Sequence, residues 1–165
     1  MKKMATHAPL VGPGITINTD ASFHPHHRTA GYAFWIICDH FKIQKGGMFK
    51  KKMPNNSFEA EIMCMGNAIA TLLAQKHIPA VHWVAINSDC MNGMECISGG
   101  TRPLGVEVLN LWNRLQKKTG AQVMAFRHVR AHTGKRDSRS FVNEWCDKEA
   151  KKWQQRATKE KLHTK

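Results

Sequence analysis

The stretch GITINTD, residues 14–20, decides the fold together with GYAFWIICD, residues 31–39. In the first, Ile15 and Ile17 alternate with polar residues, the period-two signature of a strand, and the run leads directly into Asp20. The second is strongly β-prone and follows a His- and Pro-rich loop, 23–29. A weaker strand is predicted near 41–50, so the second and third strands read as a hairpin with Lys50, Lys51 and Lys52 at its far end.

Beyond Ser57 the period changes. Phe58, Ile62, Met65, Ile69 and Leu72 are spaced 4, 3, 4 and 3, an amphipathic helix with Asn56 as its expected N-cap. VHWVAIN, 81–87, is an apolar run of strand length, as in a strand buried on both faces, and Asp89 stands just past it. A second helix is predicted over 103–118, opened by Pro103 and closed by Gly120. AQVMAFRHV, 121–129, makes a fifth strand, and a last helix begins near Ser140 with Val142, Trp145, Ala150 and Trp153 as candidate core positions. The order is therefore β-β-β-α-β-α-β-α. It demands an α/β fold with a five-stranded mixed sheet, antiparallel in its first half and parallel in its second, with helices on both faces. Asp20 and Asp89 then fall at carboxyl ends of strands, where open α/β sheets place their sites.

The chain has 165 residues, 42% of them apolar, enough for one ordinary core. Lys and Arg number 25 against 12 Asp and Glu, a net charge of +13 that favours a polyanionic partner, nucleic acid or an anionic membrane surface. No stretch approaches the roughly 20 apolar residues needed to cross a bilayer. The start, MKKMATHAPLVGPG, lacks the apolar run of a secretory signal. Cys38, Cys64, Cys90, Cys96 and Cys146 are odd in number and include no C-x-x-C pair, which excludes an ordinary zinc ribbon and reads as reduced thiols in a cytoplasmic protein. Nothing demands more than a monomer. Residues 1–13, broken by Pro9, Gly12 and Pro13, read as a flexible arm.

With only 12 acids in the chain, their placement carries information. If the first and fourth strands are neighbours, Asp20 and Asp89 converge, and a helix crossing the sheet adds Glu59. Asp147 sits in the last helix, four residues after Asn143 and on the same face. Crowded carboxylates repel, and bound divalent metal resolves the repulsion. Oxygen ligands point to Mg²⁺ or Mn²⁺, and two ions roughly 3.5–4 Å apart form a clamp for in-line displacement at a phosphodiester. Taken singly, each acid also has an ordinary reading. Asn56 and Glu59 fit a variant capping box, Asp20 and Asp89 fit strand-closing turns, and Asp147 fits an ion pair with Lys151.

TDAS (19–22), NNSFEAE (55–61), NSDC (87–90) and HTG…NEWCDKEA (132–150) together resemble type 1 ribonuclease H, in the family's order and over about residues 14–153. The resemblance implies a catalytic domain over 14–153, followed by a basic tail, 154–165. It implies an endoribonuclease that cuts the RNA strand of RNA–DNA hybrids with two Mg²⁺ ions, Mn²⁺ substituting, and leaves 5′-phosphate and 3′-hydroxyl ends. Asp20, Glu59, Asp89 and Asp147 would be the metal-binding carboxylates. Asp20 would bridge both ions, Asp147 would complete the water-activating site, and Glu59 and Asp89 would hold the ion at the leaving oxygen. His132 matches the family histidine that relays protons or assists product release. Asn143 matches a position that supports the site. Asn55 and Asn56 match the pair that contacts the hybrid's minor groove, where the 2′-hydroxyl distinguishes RNA, and Cys90 and Met91 follow the third acid where members also touch it.

The chain departs from the family in two places. FHPHHRTAG replaces a glycine-rich loop and sets His24, His26 and His27 beside the expected metals, as a solvated loop or a transition-metal site; histidines there would tune phosphate binding near pH ~6. MNGMECISGGT, after Asp89, contains no Lys or Arg where some members insert a basic handle. Binding charge is therefore expected from Lys50, Lys51 and Lys52 and from the end of the chain, including Lys151 and Lys152. A DNA-junction nuclease of the same fold, or a non-catalytic basic nucleic-acid-binding domain, are the competing functions.

Overall fold

The computed structural model describes residues 10–130 and 137–164. Its strands are β1 (Gly14–His24), β2 (Thr29–Ile37), β3 (Lys42–Met48), β4 (Trp83–Ser88) and β5 (Val123–His128). Its helices are α1 (Ser57–Leu73), α2 (Met91–Ser98), α3 (Arg102–Thr119) and α4 (Ser138–His163). The sheet order is β3-β2-β1-β4-β5, with β1–β2 and β2–β3 antiparallel and β1–β4 and β4–β5 parallel. This is the mixed five-stranded sheet that the alternation of apolar residues predicts.

The pleat divides the core into two layers. Ile15, Ile17, Phe34, Ile36, Val84 and Ile86 point to one face and pack with Ile62, Met65, Ile69 and Leu72 of α1, with Met94 and Ile97 of α2 and with Val108, Trp112 and Leu115 of α3. On the other face Ala33 meets Cys146 and Ala150 of α4, with Trp35 and Trp145 beside them. Gly31 of β2 is where α4 comes closest, since a Cβ there would strike the Ala150 carbonyl oxygen and the Gln154 nitrogen.

Local chemistry sets the helix ends. Asn56 caps α1 through its side-chain oxygen, which accepts from the Glu59 N–H at 2.8 Å. Pro103 stands in the first turn of α3, and Gly120 closes it in the left-handed conformation, φ 68°.

Three features depart from the sequence expectations. The segment after Asp89 forms an extra helix, α2, so the order is β-β-β-α-β-α-α-β-α. Eight residues are too few for a period to show, although Met91, Met94 and Ile97 fall three apart. The buried stripe of α4 is Val142, Cys146, Ala150 and Gln154, while Trp145 and Trp153 are half-buried at its margin. Finally, α4 runs unbroken past Trp153 to His163. Gln154 is buried and donates to Thr29 Oγ1 and Thr158 Oγ1, and Lys161 Nζ donates to the His27 carbonyl, so the end of the chain lies against the β1–β2 hairpin.

Candidate metal centre

The site forms where β1 and β4 diverge. The ladder between them ends at the Asn18–Asn87 pair, and Asp20 and Asp89 stand two residues beyond it. Asp20 does not close its strand, as the sequence suggests, because β1 continues to His24 paired with β2. The first turns of α1 lie beside this opening. One carboxylate oxygen each from Asp20, Glu61 and Asp89 come together, all within 4.8 Å of one another.

Glu61, and not the expected Glu59, is the glutamate of this group. Two residues correspond to about 200° around a helix, so the two side chains leave α1 on different sides. Glu59, the third residue of the helix, turns back on its own N-terminus: its Oε2 accepts from the backbone N–H of Asn55 at 2.9 Å and from the Asn55 side chain at 3.0 Å. Together with the Asn56 cap, this is the capping-box variant that the spacing also allows. Glu61 is buried; its Oε1 accepts from the Ala21 N–H at 3.2 Å, and its Oε2 is buried with no hydrogen-bond partner.

The three acids oppose one another's ionisation. Burial and the charge of Asp89 push the Asp20 pKa from 3.8 up to about 7, partly offset by hydrogen bonding with Glu61 and with the Ala21 amide; Asp147 adds to the rise. Burial and the charges of Asp20 and Asp89 hold the Glu61 carboxyl well above the ordinary carboxylate range. A buried carboxylate oxygen with no partner, beside two further carboxylates, suits a hard divalent cation. The donor set is all oxygen; Cys90 is half-buried next to it, but burial raises its thiol pKa to about 11 and keeps it protonated.

Asp147 projects from α4, close enough for its charge to act on Asp20, and forms an ion pair with Lys151 at 3.0 Å. Asn143 lies one turn earlier on α4 and is half-buried. His132 lies outside the described residues. Asn55 and Asn56 are exposed at the mouth of α1, and Arg28 Nη2 donates to Asn55 Oδ1 at 3.5 Å. Cys90 caps α2, its N–H donating to Ser88 Oγ, and Met91 opens that helix exposed. Lys50, Lys51 and Lys52 are exposed beyond β3. Lys151 and Lys152 pair with Asp147 and Glu149 of their own helix.

His24, His26 and His27 are not beside the acids. They sit at the tip of the β1–β2 hairpin, with ring centroids 4.7 and 4.9 Å apart. His24 is four residues past Asp20 along an extended strand, about 13 Å. The five cysteines are free. Among the described residues, no helix is long and apolar enough to cross a membrane.

The profile of the RNase H family matches residues 13–155. Two solved structures share the fold. The N-terminal RNase H domain of Rv2228c from Mycobacterium tuberculosis, determined as a fusion with maltose binding protein, is 12% identical with a TM-score of 0.64, over 90% of this chain and 98% of that one. RNase H1 from the halophilic archaeon Halobacterium salinarum NRC-1 is 12% identical with a TM-score of 0.57, over 87% of this chain and 99% of that one. A search of curated protein sequences gives no match.

Proposed function

The chain belongs to the ribonuclease H family, and on that premise we propose that it is an endonuclease that hydrolyses the RNA strand of RNA–DNA hybrids, leaving 5′-phosphate and 3′-hydroxyl ends. The observation that carries this reading is the convergence of Asp20, Glu61 and Asp89, with one oxygen of Glu61 buried and unpartnered. These three, joined by Asp147 from α4, would hold two Mg²⁺ ions, with Mn²⁺ as a substitute. Ions bound there would acidify an attacking water and offset charge on the departing 3′ oxygen.

The protein's own groups account for the rest. The N–H of Ala21 holds one oxygen of Glu61, and the other is buried with no hydrogen-bond partner and so is free to take an ion. Lys151 pairs with Asp147 one helical turn away, at 3.0 Å, and so restrains the carboxylate that α4 brings to the site. Asn56 commits its oxygen to the helix N-terminus and offers its NH₂ outward, a short donor for a 2′-hydroxyl in the minor groove. Asn55 is fixed beside it by Glu59 and Arg28, which gives Glu59 a positioning role in place of the metal-binding role expected from the sequence. Lys50, Lys51 and Lys52 and the exposed end of α4 supply charge for phosphates. By resemblance, His132 would relay protons and Asn143 would support the site. The protein would act as a cytoplasmic monomer.

The test is a panel of labelled RNA–DNA hybrid, duplex DNA, duplex RNA and a four-way junction, each with Mg²⁺, Mn²⁺ or chelator. Cleavage confined to the RNA of the hybrid, dependent on the ion and lost in Asp89→Asn without loss of binding, is the expected result. Junction cleavage would assign the fold to DNA processing, and binding without cleavage of any substrate would make it a nucleic-acid-binding domain.

A further inference from the structure

A row of polar side chains crosses the sheet directly beneath the acids. Arg127 Nε donates to Asn87 Oδ1 at 2.8 Å, Asn87 Nδ2 donates to Asn18 Oδ1 at 2.9 Å, and Asn18 Nδ2 donates to the Trp35 carbonyl at 3.0 Å. The four residues are direct cross-strand partners on β5, β4, β1 and β2, so the row is in register from one strand to the next. Asn18 and Asn87 are 2% and 1% exposed. Its direction is fixed from both ends: a guanidinium only donates and a carbonyl only accepts, so each amide between them has one orientation.

The opposite face of the same strands carries Ile15, Ile17, Val84 and Ile86. An apolar row would therefore fill this face as well, and buried amides are tolerated only because each is bonded on both sides. Their position gives the polarity a use. Asn18–Asn87 is the last rung of the β1–β4 ladder. Past it, β1 stays paired with β2, while β4 is held by β5 through the Val129 N–H on the Ser88 carbonyl and His128 Nε2 against the Asp89 carbonyl. The two strands that carry Asp20 and Asp89 therefore part, with like charges at their ends, immediately above the Asn18–Asn87 bond.

We propose that Arg127, Asn87 and Asn18 are positioning residues that set the spacing of Asp20 and Asp89 for divalent-ion binding. The row acts through the strands and touches neither ion nor substrate. Arg127 polarises the chain from its charged end and prevents Asn87 from turning away from Asn18. This rests on the reading that Asp20 and Asp89 hold the ions.

The test measures Mn²⁺ binding to the full-length protein by calorimetry and by electron paramagnetic resonance, without nucleic acid, beside hybrid cleavage. The variants are Arg127→Met, Arg127→Lys and the double variant Asn18→Leu/Asn87→Leu, which removes the row without leaving an orphaned amide. In folded variants, Arg127→Met and the double variant should weaken Mn²⁺ binding by about tenfold or more, the size seen when groups behind a metal ligand are removed. The Mg²⁺ requirement for cleavage should rise in parallel, while KM for the hybrid at saturating ion stays at the native value and Arg127→Lys recovers most of the loss. Native Mn²⁺ affinity in folded Arg127→Met, or in the folded double variant, would overturn the proposal. A raised hybrid KM with unchanged ion binding would do the same, by making Arg127 a phosphate contact. If the native protein binds Mn²⁺ but leaves hybrids intact, the nuclease reading fails while the binding titrations still decide the role of the row.

Discussion

Oε1 of Glu61, on α1, accepts a hydrogen bond from the backbone N–H of Ala21, on β1, at 3.2 Å. That bond places a helix carboxylate against the residue after Asp20, and Oε2 of the same group is buried with no partner. The helix and the strand are thus tied at the point where the acids crowd most. The crowding there costs stability in the ion-free protein, because half-buried Asp20 and buried Glu61 have like-charged neighbours.

This cost has a definite pH dependence. The Asp20 pKa is about 7 in the folded protein against 3.8 ordinarily. A raised acid stabilises the fold when protonated, so its contribution is complete below the unfolded pKa and is lost as pH climbs from about 4 to about 7. The Tm of the ion-free protein should fall across that window, and Asp20→Asn should remove the part of the fall that belongs to this group. Ions bind the deprotonated forms, so Mg²⁺ affinity should climb with pH, by up to about tenfold per unit for each of Asp20 and Glu61 that must lose its proton. Calorimetric titrations from pH 5.5 to 8.5 check the slope; affinity flat across that range would contradict it.

Gly31→Ala should separate α4 from the sheet. The added Cβ would meet backbone atoms at Ala150 and Gln154, which cannot rotate aside. Overpacking of this kind costs about 1–3 kcal/mol, and for a domain of this size that lowers Tm by about 5 °C. Because α4 also carries Asp147, cleavage should fall beyond what the loss of folded protein explains. Thermal melts beside specific activity at 20 °C below the variant's Tm measure both effects.

The end of α4 has two separable roles. Truncation after Trp153 removes Gln154 and its bonds to Thr29 and Thr158, and should lower Tm as well as weaken hybrid binding. Lys159→Gln keeps those Gln154 bonds and the Lys161 bond to the His27 carbonyl. It should leave Tm near native while reducing the salt dependence of log affinity by roughly 0.9 for each phosphate no longer neutralised, if the hybrid behaves like B-DNA. Salt titrations of hybrid binding check this; an unchanged slope would confine the helix end to docking on the hairpin.

The sheet was legible in the sequence because each strand declares itself locally: Ile15 and Ile17 by alternation, and 81–87 by continuous apolarity. Gly120 and Pro103 marked the ends of α3 through backbone chemistry that tertiary contacts do not override. The glutamate that clusters with Asp20 and Asp89 was not singled out, because Asn56-x-x-Glu59 satisfies two patterns at once, a helix cap and a family motif. Periodicity held the discriminating signal. Glu61 stands four, seven and eleven residues before Met65, Ala68 and Leu72, on the buried stripe, whereas Glu59 lies off it. The polar row escaped notice for a different reason: Asn18, Asn87 and Arg127 acquire meaning only from strand register, which no local pattern specifies.

The most direct test compares two substitutions two residues apart, Glu61→Gln and Glu59→Gln, for Mn²⁺ binding and for Mg²⁺-dependent cleavage of an RNA–DNA hybrid under identical conditions. The account predicts that Glu61→Gln loses at least about 100-fold in turnover, an effect of the size expected when a group that stabilises charge at the reacting centre is removed, and weakens Mn²⁺ binding. It predicts that Glu59→Gln keeps native ion affinity and near-native stability, because a glutamine oxygen still accepts the Asn55 N–H bonds at this position. The reverse result, with ion binding lost in Glu59→Gln and native in Glu61→Gln, would contradict it.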